Sequence, residues 1–204
     1  MSARHRWLML AAVGLVILAV CSLVVADGTV SQPERDVFLW INRWPDWLDA
    51  PLWIFQQAGN LVVATLLTVA VGIGVRNRRL VSSALLVAAA KLITERIVKV
   101  MVERPRPGVS IGSEAVLRND VPASGLSFVS GHSTITTAMA VLLTATLPKR
   151  WRPLPWACVI LNAIGRVHDG AHNPLDIAGG VGLGLAIGGA TVALLLVRDR
   201  PKVR

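Results

Sequence analysis

Long apolar runs, each close to the length needed to cross a bilayer, recur from one end of the chain to the other and are separated only by short blocks of charge. A hydrocarbon core about 30 Å thick takes a helix of about 20 apolar residues. Within it every backbone polar group has to be satisfied locally, which leaves helices as the solution for runs of this kind. Windows of that length place spans at 7–26, 52–75, 80–100, 132–147, 154–167 and 174–197. The expected fold is all-α: a polytopic membrane protein of six transmembrane helices, with residues 1–204 forming a single domain.

The formal charge of +9 could suggest a nucleic-acid partner, but the basic residues fall at alternate span boundaries. They sit at Arg4 and Arg6, at Arg76, Arg78 and Arg79, at Lys149, Arg150 and Arg152, and in the tail at Arg198, Arg200, Lys202 and Arg204. The loop 27–49, by contrast, carries Asp27, Glu34, Asp36, Asp46 and Asp49 against Arg35 and Arg43. This is the pattern of cytoplasmic loops enriched in Lys and Arg. Both termini are expected in the cytoplasm of a cell-membrane protein, with membrane lipids and not nucleic acid as its surroundings.

All seven tryptophans lie at span ends or in the first outer loop, where amphipathic rings settle at the water interface. Trp40, Trp44 and Trp47 recur at helical spacing after Pro33, so 34–44 is expected to be a short amphipathic helix lying in the outer interface. The start, 1–26, reads as an uncleaved first helix because its apolar run exceeds that of a signal peptide. Cys21 and Cys158 each lie inside an apolar run and imply neither a disulfide framework nor a zinc motif. Gly180, Gly184 and Gly188 form a small-residue face suited to packing within the bundle.

Ionisable groups beside membrane spans are candidates for function. Three clusters stand out, and with an inside start the parity of the spans puts all of them on the outer side. Lys99 closes the third run and is followed by Arg104-Pro105-Arg106-Pro107, where the prolines stiffen the segment and either arginine could fork two phosphate oxygens. Ser130-Gly131-His132 opens the fourth helix; Ser130 suits an N-cap, and Gly131 allows an anion to approach the first amides. The third cluster runs from Arg166 through His168 and His172 to Asp176, with Asn173-Pro174 starting the sixth helix. Asp176, one turn on, can hold one ring nitrogen of His172 and leave the other basic and nucleophilic. His168 reads either as support for that chemistry or as a loop residue. Lys91, Glu95 and Lys99 share one helix face, where Glu95 neutralises charge or relays protons. The fifth run is short, about 14 residues or 21 Å, which recesses Arg166 below the outer surface.

In order and spacing these clusters resemble the type 2 phosphatidic acid phosphatase superfamily, which includes bacterial membrane lipid phosphatases and vanadium haloperoxidases. The resemblance covers 99–180. Lys99, six residues, then Arg106-Pro107 matches the first motif and selects Arg106 over Arg104. Val129-Ser130-Gly131-His132 matches the second, with Val129 in place of a proline. Gly165-Arg166, then His172 and Asp176, matches the third, with Gly165 in place of a serine. The resemblance implies that His172 attacks phosphorus, that His132 protonates the leaving oxygen, and that Asp176 orients His172. Lys99, Arg106, Ser130, Gly131 and Arg166 are then the phosphate-binding residues. It implies no cofactor and no metal, and the sequence contains no compact cluster of carboxylate, Cys and His residues to hold one. The implied reaction is hydrolysis of a lipid phosphate or diphosphate at the outer face, with polyprenyl diphosphate as the leading substrate. Phosphatidate or phosphatidylglycerophosphate hydrolysis, phosphotransfer to a lipid or sugar hydroxyl, and non-catalytic binding or transport of a lipid phosphate are the alternatives.

Overall fold

The computed structural model describes residues 1–197, so the basic tail Arg198, Arg200, Lys202 and Arg204 lies outside the described residues. Among those described the structure is helical, with one isolated antiparallel bridge between Pro105 and Leu126. The helices are α1 (Ala3–Val24), α2 (Gln32–Asn42), α3 (Asp49–Gln56), α4 (Leu61–Gly74), α5 (Arg78–Val102), α6 (Pro107–Ser110), α7 (Gly131–Thr146), α8 (Pro153–His168) and α9 (Pro174–Thr191). Their starts follow ordinary capping chemistry: Asn60 accepts the Val62 and Val63 amides, Asn77 accepts from Leu80, and Ser130 accepts from Ser133.

Helix α7 is the centre of the bundle, buried from Gly131 almost to its end. Gly180, Gly184 and Gly188 of α9 lie against it; added Cβ atoms would strike Ser130, Thr134 and Val141. Gly182 and Gly189 do the same on the opposite face, where α1 crosses at Gly14. The small-residue helix is therefore packed on both sides within the bundle, as its spacing suggested. Both cysteines are free.

Among the described residues two helices are long and apolar enough to cross a membrane, α1 and the run Pro174–Leu196, with mean hydropathies of 2.7 and 1.9. The expected second span, 52–75, is not one helix. It is broken between α3 and α4, with a bend of 69°. Gly59 at the break is buried against His132 and Asn162, and the exposed Asn60 restarts the chain as a cap. Helix α5 is long enough, at 25 residues, but carries Lys91, Glu95, Arg96 and Lys99 along its second half. Helices α7 and α8 have 16 residues each, about 24 Å.

The amphipathic helix expected at 34–44 is present as α2, shifted to Gln32–Asn42. Its Trp40 is exposed and meets Trp44 edge-on at 5.2 Å, while Phe38 is buried. Glu34, however, faces inward.

Candidate active site

Two extended segments join the first cluster to the second. Ser127 N–H donates to Arg104 O at 2.7 Å and Arg106 N–H donates to Gly125 O at 3.2 Å, so 104–106 and 125–127 form a short ribbon. The rigid Arg104-Pro105-Arg106-Pro107 stretch is thereby laid beside the start of α7. The third cluster is folded onto it by the turn after α8. Ala171 and His172 N–H both donate to Arg166 O, and Gly170 adopts φ 73°, a conformation glycine takes without strain. Ser130 N–H donates to Asp176 O at 3.0 Å, tying the start of α7 to the first turn of α9.

At the centre is His172, only 3% exposed. Its Nδ1 is 3.7 Å from the nearest Asp176 oxygen, too far for a direct hydrogen bond. Ser127 stands between them. Its Oγ lies 3.3 Å from His172 Nδ1 and donates to Asp176 Oδ2 at 2.5 Å. A hydroxyl that gives its proton to the carboxylate accepts from Nδ1–H, so the network selects the tautomer with a free Nε2 lone pair. Burial, only partly offset by the nearby Asp176 carboxylate, holds the His172 imidazole down to about 4. The ring is neutral near pH 7 and able to act as a nucleophile.

Asp176 is completely buried and fully engaged. Besides Ser127 it accepts from Asn173 N–H at 2.8 Å and from Arg104 Nη1 at 2.9 Å. Arg104 is sealed from solvent and donates to Glu34 at 3.0 and 2.6 Å and to Thr29 O at 3.0 Å. Burial works against its charge, but the bonds to Glu34 and the Asp176 carboxylate outweigh it and raise its affinity for the proton. Arg104 is thus occupied by the scaffold. Arg106 gives one bond, Nη1 to Ala171 O at 3.0 Å, which leaves the rest of its guanidinium uncommitted.

The other predicted residues converge here with qualifications. Arg166 donates to Gln56 Oε1 at 3.0 Å, and its buried Nε has no protein partner. His132 lies within electrostatic reach of Arg166, His172, Lys91 and Lys99. Lys99 is paired with Glu95 at 2.8 Å, and Lys91 closes the other carboxylate oxygen at 2.5 Å. Ser130 acts as the cap and its own N–H is spent on Asp176, so the unpaired amides that the first turn of a helix leaves are those of Gly131 and His132. A side chain at Gly131 would run into the Glu95 carboxylate.

Sequence reasoning missed Glu34, Gln56 and Ser127. Gln56 also fills the space beside Gly165, where any side chain would collide with it. A serine at that position, the usual residue of the third motif, would displace Gln56 from Arg166. The only signal was their polarity within or beside apolar runs. The sequence likewise shows no compact metal-ligand cluster, yet folding brings Asp49 to His168 and Asp169, with one donor atom from each within 4.8 Å of the others.

Residues 79–200 match the PAP2 superfamily. Over 108 residues the chain is 35% identical to decaprenylphosphoryl-5-phosphoribose phosphatase from two strains of Mycobacterium tuberculosis, CDC 1551 / Oshkosh and ATCC 25618 / H37Rv. That alignment takes in 53% of this chain and 57% of the relatives, so the chain matches little more than half the length of these curated proteins. In fold it is similar to Aquifex aeolicus LpxE, with a TM-score of 0.69 and 21% identity over 77% of this chain and 93% of that one. It is also similar to the PAP2-type phosphatidylglycerolphosphate phosphatase of Bacillus subtilis, with a TM-score of 0.67 and 22% identity over 86% and 92%.

Proposed function

The chain belongs to the PAP2 superfamily, and from that premise we propose that it is a membrane-embedded lipid phosphate phosphatase acting through a phosphohistidine. The observation that carries this reading is the His172–Ser127–Asp176 chain facing the cations Arg106 and Arg166. His172 Nε2 attacks phosphorus as the bond to the lipid oxygen breaks, and His132 gives its proton to that leaving oxygen. Water then attacks the phosphohistidine, His132 takes up the proton, and phosphate leaves. Lys99, Arg106, Arg166 and the Gly131 and His132 amides hold the equatorial oxygens; fixed charges and dipoles of this kind are the main resource for phosphoryl transfer.

In this reading α1, the bent pair α3–α4, α5, α7, α8 and α9 make six crossings, with both termini in the cytoplasm and the site on the outer side. Arg6 and Arg152 support it, sharing a cleft with Trp7 and Thr144 at the far end of α7 from His132. An apolar groove of about 580 Å³ between α1 and α5 is bordered by Val98, Met101 and Val102, neighbours of Lys99, and suits a lipid chain. The substrate is a polyprenyl-linked phosphate. A phosphorylated sugar on a polyprenyl phosphate is favoured by the name of the 35%-identical relatives, and polyprenyl diphosphate is the second reading.

The test is phosphate release by purified protein from both polyprenyl substrates, phosphatidate and phosphatidylglycerophosphate, with and without a sugar or lipid acceptor. Acid-labile label on the chain during turnover, absent in His172→Ala, is the expected result. Full turnover by His172→Ala would remove the nucleophile, and a phosphorylated acceptor in place of free phosphate would make the protein a phosphotransferase.

A further inference from the structure

His168 is fully buried and plays no part in the mechanism above. Its Nε2 lies 3.3 Å from the backbone carbonyl of Trp44. A carbonyl only accepts, so Nε2 carries the hydrogen and the neutral ring turns the lone pair of Nδ1 the other way. There Nδ1 has no hydrogen-bond donor and faces two carboxylates, Asp49 Oδ1 at 3.5 Å and Asp169 Oδ1 at 3.9 Å. Three lone-pair donors are directed at one another, and the Arg166 guanidinium lies 4.0 Å from the other oxygen of Asp169, Oδ2. Asn119 Nδ2 donates to both carboxylate oxygens, at 3.3 and 3.2 Å, and leaves Nδ1 without a partner.

We propose that Asp49, His168 and Asp169 form a binding site for a divalent transition-metal ion of the zinc class, separate from the phosphate chemistry. One imidazole with two carboxylates is a borderline donor set that suits zinc. The carbonyl behind His168 is the outer partner that fixes the tautomer of a metal-bound imidazole. Bonds of about 2.0 Å in a tetrahedral site put ligand atoms about 3.3 Å apart. Two of the separations are 3.5 and 3.9 Å and the third is within 4.8 Å, so rotation of the two carboxylates would close the set on an ion. A surface cleft of about 540 Å³ reaches Asp49 and Asn119 and gives the ion a path from solvent. The ion would join the start of α3 to the end of α8, bracing the turn that presents Arg166 and His172.

The test uses the full chain in detergent, stripped with a chelator and titrated with zinc chloride by calorimetry and thermal unfolding at pH 7.5. One zinc ion per chain and a raised unfolding temperature are expected. Asp49→Asn, at the half-exposed rim, should weaken binding at least tenfold; His168→Gln should do the same, and His172→Ala should leave binding intact. If His168→Gln fails to fold, Asp49→Asn carries the comparison. No zinc uptake at tens of micromolar, uptake that survives Asp49→Asn, or nitrogen chemical shifts showing His168 doubly protonated and undisplaced by zinc would each overturn the proposal. None of these readouts depends on turnover, so they stand apart from the proposed phosphatase activity.

Discussion

Removing the Ser127 hydroxyl tests whether His172 is oriented through it. The ring and Asp176 are 3.7 Å apart at their nearest, whereas Ser127 Oγ is 3.3 Å from one and 2.5 Å from the other. Ser127→Ala removes this bridge but leaves Asp176 its bonds from Arg104 and Asn173, and leaves the Ser127 amide on Arg104 O, so the scaffold persists. A hydrogen bond that ends on a charged group contributes about 1.5–3 kcal/mol. If all of it serves to hold the ring for attack, kcat falls roughly 10- to 150-fold at about 1.4 kcal/mol per decade. KM should hold, since Ser127 is not proposed to touch phosphate. Ser127→Thr, which restores the hydroxyl, should recover most of the rate. The assay is steady-state phosphate release from a micellar lipid phosphate. A kcat within twofold of the parent would mean that the ring closes directly onto Asp176, and the bridge would be refuted.

Three further expectations follow from the same geometry. Glu34→Ala strips Arg104 of a two-pronged partner and orphans the Leu175 amide, which donates to Glu34 at 2.8 Å; the loss should be about 3–5 kcal/mol, read as a drop of roughly 6–20 °C in unfolding temperature, and a drop below 2 °C would show that the pair is not held. Glu95→Gln removes the carboxylate that pairs Lys99 and crowds Gly131, so inorganic phosphate should inhibit about tenfold more tightly while kcat falls as Lys99 loses its anchor; an unchanged inhibition constant would place Glu95 outside the anion site. His172 is neutral when folded down to about pH 4, while an unfolded histidine takes its proton near 6.5. Its contribution to stability is therefore complete above about pH 6.5 and lost as the pH falls toward 4, an effect of order 3 kcal/mol, so a His172→Gln variant should show a flatter unfolding-temperature profile over that interval.

The all-α fold and the clustering of chemistry were legible because they rest on local signals: apolar runs, caps, and motifs such as Arg166 to Asp176 that span one short connection between consecutive helices. Gly180, Gly184 and Gly188 announced a close helix contact for the same reason. What could not be read are pairings that only the packed bundle creates. By residue chemistry alone Arg104 and Arg106 have the same claim on phosphate and only the motif resemblance selected Arg106; what separates them structurally is that Glu34 on a distant helix claims Arg104. The span at 52–75 read as continuous because Gln56, Gln57, Gly59 and Asn60 interrupt an otherwise apolar run without a charge or a proline. Its break is decided by His132 and Asn162 crowding Gly59, which no local window contains. His168 was ambiguous for the same reason: Asp49 and Trp44 meet it only after α3 docks on α8.

The segment matched by the superfamily begins at residue 79, yet much of what holds the site comes from before it. Thr29 and Glu34 fix Arg104, and through it Asp176. Gln56 holds Arg166, and Gly59 gives His132 its room. Asn42 donates to the carbonyls of Val116, Val167 and His168, fastening the loop before α7 to the end of α8. These residues supply no nucleophile, acid or phosphate ligand. Their work is to satisfy buried charge and amide groups so that Arg106, Arg166 and His172 keep unspent donors and a free lone pair. Buried polar groups left unpaired cost about 1–3 kcal/mol each, so the proposed phosphate site, with several cations inside an apolar bundle, is stable only if the supporting arginines are neutralised elsewhere. The division between Arg104, spent on Glu34 and Asp176, and Arg106, held by a single carbonyl, is how this chain meets that condition, and it makes the outer helix α2 a structural part of the site.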